Sequence, residues 1–156
     1  MRITKVLIPC LVFLAVVGSK AQTSSQITDE DLKKYATTMD SVEAMQQSLR
    51  DIVAETVRAN TVMPVTRYNE LFKIADDSVK LKAASATSKE IAFLKQIEDL
   101  RKVNIERINA TYQDLAKNYV GLKAFNAIRK SLQSDQTLKA RYDNLSKEMD
   151  SKEKGG

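Results

Sequence analysis

The chain has 156 residues with 25 basic and 20 acidic side chains, and it contains a single Cys, no His and no Trp. Without His, the usual general base at neutral pH and the commonest side-chain ligand of transition metals are missing, which argues against most enzyme and metal-binding classes. Basic and acidic residues are interleaved along the sequence, whereas nucleic-acid-binding proteins concentrate basic residues on one face. We therefore expect no nucleic-acid partner.

The first 21 residues are predicted to be a secretory signal peptide. Arg2 and Lys5 form a basic start, an apolar stretch runs from Val6 to Val17, and small residues follow it. We expect cleavage between Ala21 and Gln22.

Two alternatives to cleavage at this position are open. An uncleaved anchor is the first, but the apolar stretch is shorter than the roughly 20 residues that cross a bilayer. A lipid-modified start at Cys10 is the second, although the small residues expected before such a cysteine are missing and the apolar stretch continues beyond it.

Cleavage would change the composition that matters for folding. The mature chain would keep 135 of the 156 residues, would carry a net charge of about +2 in place of +5, and would contain no Cys. Its length is enough for one domain with a real core. Because no disulfide can form, that domain must be stabilised by burial alone.

The mature chain is predicted to be helical almost throughout, since glycine and proline are rare and no segment alternates as a strand does. The first helix begins with Thr28 as N-cap and Asp31 as its capping-box partner, and Ile27 and Leu32 stand at the positions of a hydrophobic staple. It should run to about Ala59.

A second long helix is predicted to follow. Thr87 is its N-cap, Glu90 completes a capping box, and the helix should run to about Tyr119 or Val120, where Gly121 offers a stop.

Both long helices carry apolar residues at intervals of three and four, a pattern typical of packing stripes. The first stripe contains Leu32, Tyr35, Met39, Val42, Leu49 and Val53, and the second contains Ile91, Leu94, Ile97, Ile105, Ile108, Tyr112, Leu115 and Tyr119. A single helix cannot bury its own stripe. We therefore predict an all-α fold with two long antiparallel helices plus short helices, in an elongated bundle or hairpin.

Two shorter segments resemble each other. Residues Met63 to Ala83 align with Val120 to Ala140 at a constant offset, with five identities in 21 positions and with Tyr68 opposite Phe125. An internal duplication is one explanation, and chance similarity of amphipathic helices is the other. In the second copy, Ser134 is predicted to cap a helix restart.

The predicted domain organisation has four parts. Residues 1–21 are the signal peptide, 22–27 a short linker, 28–146 the helical domain with the two similar segments, and 147–156 a polar, flexible tail that ends in two glycines.

The C-terminal half carries a family resemblance. Gly121 to Ile128, followed by Leu132 to Asp135 and Leu138, resembles the signature of a bacterial exported family catalogued as domain of unknown function 4168, and the stretch Ile27 to Ala36 is similar to that family's opening helix. The resemblance implies an exported helical protein of a Gram-negative envelope. It implies no catalytic residue, metal or cofactor.

The composition and pattern together predict a non-catalytic protein that acts by contact. We expect it in the periplasm or cell envelope, with other envelope proteins as partners, no cofactor and no membrane span after cleavage. The more specific hypothesis is that the protein has a chaperone-like or scaffolding role.

A self-associating structural subunit, such as a homodimer whose register Gln46 helps to set, is the alternative. A hydrolase that uses a Ser–Lys pair or paired carboxylates is more remote, because Ser48, Ser78, Ser88 and Ser131 have no glycine-bearing elbow nearby.

Overall fold

A computed structural model of the protein describes residues 27–153. That part of the chain contains six α-helices and no strand, which confirms the predicted all-α fold. The helices are α1 (Asp29–Ala59), α2 (Val65–Phe72), α3 (Ser78–Ala83), α4 (Ser88–Asp114), α5 (Leu122–Ser131) and α6 (Gln136–Glu153). None of these helices is long and apolar enough to span a membrane. The predicted cleavage between Ala21 and Gln22, and Cys10, lie outside the described residues.

Both long helices begin as the sequence predicts. The Thr28 hydroxyl oxygen accepts a hydrogen bond from the Asp31 amide at 3.1 Å, and the Asp31 carboxylate accepts one from the Thr28 amide at 3.1 Å. Thr87 and Glu90 make the same reciprocal pair at the start of α4, at 3.3 and 2.8 Å. Each box gives partners to amides that the first helical turn leaves free.

The end of α4 departs from regular α-helical geometry. Leu115–Tyr119 forms a π-turn, in which the Val120 amide donates to the Leu115 carbonyl at 3.0 Å. Gly121 then adopts φ +89°, a conformation that side-chain-bearing residues rarely reach, and α5 begins at the next residue. The predicted helix therefore has the expected extent, but its last turn holds an extra residue.

Buried apolar side chains form two separate clusters. The α5 cluster contains Ile27, Leu32, Tyr35, Ala116, Val120, Phe125, Ile128 and Leu138. The α2 cluster contains Val57, Met63, Tyr68, Leu71, Leu81, Phe93, Leu94 and Ile97. The first part of α1 thus shares a cluster with the chain just beyond α4, and the last part of α1 shares a cluster with the first part of α4. Opposite ends meet in this way when two helices run in opposite directions.

The two clusters use equivalent positions of the two similar segments. The equivalent pairs are Met63 and Val120, Tyr68 and Phe125, Leu71 and Ile128, and Leu81 and Leu138. The long helices are therefore not joined as a direct hairpin, because α2 and α3 stand between them in the chain. A common origin of the two segments stays a prediction.

Several residues of the predicted α4 stripe are not buried. Ile91, Ile105 and Tyr119 are 42, 45 and 45% exposed, whereas Phe93, which the stripe omitted, is 6% exposed. The reason is that α4 carries two neighbouring apolar rows. The α2 cluster covers the row of Phe93 and Ile97, and spacing alone does not say which row is covered.

Two predictions about the C-terminal part are wrong. Asp135 caps α6 in place of Ser134, because its carboxylate accepts hydrogen bonds from the amides of Thr137 and Leu138 at 2.9 and 3.0 Å. Ser134 lies one residue too early to make these bonds. The helical domain also does not end at residue 146, since α6 continues to Glu153.

Candidate binding surfaces

The α5 cluster is covered by α6, which lies along the first part of α1. Arg141 donates to the Ile27 carbonyl at 3.3 Å and forms an ion pair with Asp29. The ring of Tyr142 lies 5.9 Å from that of Tyr35. These contacts seal one side of the α5 cluster.

Further along α1, carboxylates also face α6. Burial raises the pKa of the Tyr142 hydroxyl, and the neighbouring carboxylates of Asp40 and Glu43 raise it further. These contacts place α6 beside α1 well past the first turns of that helix.

The equivalent helix of the other half, α3, is much shorter. It ends at Ala83, the chain turns through Ser85 at φ +52°, and α4 starts at Ser88. Arg67 of α2 stabilises this turn by donating to the Ala84 carbonyl at 2.8 Å and to Glu90 at 3.1 Å. Because the chain turns back here, α3 does not lie along α4 as α6 lies along α1.

The uncovered side of α4 is a groove of about 820 Å³, here called the α4 groove. Its apolar walls come from α2, α3 and α4 and include Phe72, Leu81, Ile91, Leu94 and Ile105. Phe72, Ile91 and Ile105 are each more than two-fifths exposed. Contiguous exposed apolar side chains of this size are typical of an interaction site.

Charged residues of both signs also line the α4 groove. Lys95 and Lys102 alternate along α4 with Glu98 and Glu106. The groove therefore has an apolar floor and a mixed-charge rim.

A second depression lies between α1, α2 and α4. It has a volume of about 550 Å³, and we call it the arginine cleft. Its apolar lining comprises Leu49, Val53, Ala54, Val57, Val65, Tyr68, Ile105 and Ile108, and its charged lining comprises Arg50, Arg58 and Arg101. The lining includes no Asp and no Glu.

The three arginines of this cleft have no acidic partner. None of them forms an ion pair within residues 27–153. Arg50 donates to the neutral side-chain oxygen of Gln47, and the Arg101 guanidinium lies 5.3 Å from the centre of the Phe72 ring. Arg101 lines both depressions, so its contact with Phe72 stands between them.

The other half of the molecule fills the corresponding space with an aromatic ring. Counted from the two N-caps, Tyr112 of α4 corresponds to Val53 of α1. The Tyr112 ring packs edge-on against Phe125 at 5.5 Å, whereas Val53 leaves the space beside Tyr68 open. A small side chain on α1 is therefore one cause of the arginine cleft.

The tyrosines of the two apolar stripes differ in their surroundings. Tyr35 and Tyr112 pack against Phe125, at ring distances of 4.9 and 5.5 Å, while Tyr119 is exposed. Two of the three tyrosines therefore pack against the α5 cluster.

The serines considered as nucleophiles are scattered over the fold. Ser48, Ser78, Ser88 and Ser131 lie in four different helices, and none of them lines either depression. Within residues 27–153, no group of three or more His, Cys, Asp or Glu residues is placed to hold a metal ion.

The chain was also compared with known proteins. No family model matches it, and neither do the curated proteins or the solved structures. The resemblance to the exported family stays a hypothesis that depends on the residues quoted above.

Proposed function

We propose that the protein is a non-catalytic, exported protein of the bacterial envelope that acts by protein–protein contact. Its α4 groove would hold an amphipathic helical segment of another protein. The observation that supports this proposal is the contrast between the two long helices. α6 covers α1, while the corresponding side of α4 leaves Phe72, Ile91 and Ile105 exposed.

A helix fits this groove better than an extended segment. The walls are helices whose backbone amides and carbonyls are already paired, so an extended peptide would find few partners for its own backbone. A helix satisfies its backbone internally and needs only an apolar face. From Ile91 to Ile105 the groove is roughly 21 Å long at 1.5 Å per residue, which suits a partner helix of about four turns.

The rim supports a broad choice of partners. Lysines and glutamates alternate along it, so a partner with charges of either sign can be accommodated. This favours the chaperone-like or scaffolding version of the proposal over recognition of a strongly acidic or basic segment. The envelope location depends on the predicted leader and on the family resemblance.

The test compares two lysine substitutions on α4. Ile91→Lys places a charge in the groove, whereas Val103→Lys places the same charge at a position that is 64% exposed and lines neither depression. We expect the wild-type protein and Val103→Lys to suppress aggregation of an unfolded secretory protein below equimolar amounts. We expect Ile91→Lys to lose this effect.

The same pair of positions separates the alternatives in the living host. A photo-cross-linking residue at position 91 should capture other exported proteins, and one at position 103 should not. Capture of only a second copy of the chain would replace the proposal by the self-associating subunit. Equal capture at both positions, together with equal activity of the two lysine variants, would overturn it.

A further inference from the structure

The arginine cleft concentrates positive charge beside an apolar floor. Arg50 and Arg58 lie eight residues apart on α1, about 12 Å along the helix, and Arg101 lines the cleft from α4. Like charges that share a site without a counter-charge repel one another, and a bound anion relieves that repulsion. Arginine also binds carboxylates through paired, charge-assisted hydrogen bonds.

A tyrosine hydroxyl adds a second polar feature. Tyr68 lines the cleft, and its hydroxyl oxygen is accessible to solvent and makes no hydrogen bond to any residue between 27 and 153. A hydroxyl group that borders a cleft without a partner is available to hydrogen-bond a bound ligand. Burial raises the pKa of Tyr68, against a smaller opposite effect of Arg101, so the hydroxyl is protonated at neutral pH and can donate.

The α5 half lacks this combination. Phe125, the counterpart of Tyr68, has no hydroxyl, and the rings of Tyr35 and Tyr112 enclose it. Of these two counterparts, Tyr68 is the one that carries a hydroxyl group and borders the cleft.

The size and walls of the cleft favour a small ligand over a peptide. A volume of about 550 Å³ falls within the range of pockets that hold small molecules. Its walls are helical, so the backbone of an extended peptide would find side-chain partners alone, which are the three amides of Gln46, Asn69 and Asn109, the three arginines and the Tyr68 hydroxyl. An acyl chain has no backbone to satisfy and gains by burial alone.

We infer that the arginine cleft binds a single-chain amphiphile with a carboxylate head, of the fatty-acid class. Its head would lie among Arg50, Arg58 and Arg101 within reach of the Tyr68 hydroxyl, and its chain would pack on Val53, Val57 and Ile108. The inference does not rest on what occupies the α4 groove, although Arg101 and Ile105 line both depressions.

The test uses a fluorescent probe, undecanoic acid carrying a dansyl group at its far end, and the matching carboxamide. The full mature protein is titrated with each at low micromolar concentration and neutral pH. We expect the acid to bind at least ten-fold more tightly than the amide, because one charge-assisted contact is worth a factor of about ten or more. Arg58→Gln and Arg101→Gln should each weaken binding of the acid by about ten-fold.

Two further variants control the interpretation. Tyr68→Phe keeps the ring that its counterpart Phe125 has and removes only the hydroxyl, and it should weaken binding by about three- to ten-fold. Arg107→Gln removes the same charge from α4 at a position outside the cleft, and it should leave the affinity unchanged.

Three outcomes would overturn the inference. They are no binding of the acid, equal binding of the acid and the amide, and equal loss in Arg101→Gln and Arg107→Gln. Failure here would leave the aggregation test untouched, because Ile91 and Val103 do not line the cleft.

Discussion

The two halves of this molecule contain equivalent helices, but the last helix of each half differs in length. In each half, the end of one long helix, the start of the other and two following helices enclose an apolar cluster. In the α5 half, α6 has 18 residues and lies along α1. In the α2 half, α3 has six residues, and the chain turns back before it can cover α4.

This difference shows that a cluster can be fully buried even when no further helix covers the long helix beside it. Leu71 and Ile128, at equivalent positions, are both 0% exposed, although the groove and cleft lie only in the α2 half. The α2 cluster is therefore buried without any contribution from the exposed apolar surface of α4. An apolar surface that contributes little to the core is typical of a site that binds a partner.

Removing the central side chain of each cluster should have the largest effect. Leu71→Ala and Ile128→Ala should each lower the free energy of unfolding by about 2–5 kcal/mol, measured by urea denaturation. We expect losses of similar size for the two variants, because both side chains are 0% exposed and occupy equivalent positions in their clusters. A much smaller loss for one of the two variants would show that its cluster does not depend on that side chain.

Substitutions at the equivalent positions Tyr112 and Val53 should have an intermediate effect on the free energy of unfolding. Tyr112→Val removes a ring from the α5 half and should cost about 1–3 kcal/mol. Val53→Tyr places a ring in the arginine cleft, where space exists, and should change stability by less than about 1 kcal/mol. It should also reduce binding of the dansyl acid. Denaturation and the binding titration measure the two results, and unchanged binding would show that the cleft is not the site.

Protonation of Glu90 in acid should lower the free energy of unfolding, and this is the smallest of the expected effects. Hydrogen bonds from the Thr87 amide and from Arg67 lower the pKa of Glu90 below its ordinary value of 4.5. A carboxylate with a lowered folded-state pKa stabilises the protein above the unfolded pKa, and this stabilisation is lost as the pH falls through the folded pKa.

Urea midpoints at pH 7 and in mild acid, compared between wild type and Glu90→Gln, measure this contribution. We expect a smaller acid-induced decrease in Glu90→Gln, and also in Arg67→Gln, which removes the partner. An identical decrease in all three proteins would show that the pair does not contribute.

The sequence predicted the features that depend on neighbouring residues. Both capping boxes, at Thr28 and Thr87, and the extents of the long helices are correct because each cap needs only a hydroxyl and an acid three residues apart. The cap at Asp135 was missed because Ser134 and Asp135 are both good capping residues, and only the position of the first helical turn separates them.

The candidate surfaces could not be predicted in the same way. They depend on which of two apolar rows on α4 is covered, and hence on where α3 ends. The available signal was the excess of apolar residues on α4, since Ile91 and Ile105 lie outside the row of Phe93 and Ile97. The cationic character of the cleft required α1 and α4 to be placed side by side, because Arg50 and Arg101 are distant in the chain.

The π-turn at Leu115–Tyr119 absorbs one extra residue and so preserves the direction of the side chains beyond it. A π-turn accommodates one residue more than an α-helical turn, so deletion of one residue within it would restore a regular helix. Each residue of an α-helix advances the direction of the side chains by about 100°. A deletion in the regular part of α4 would therefore rotate Val120 and α5 away from the α5 cluster, whereas a deletion within the π-turn would leave both in phase with it.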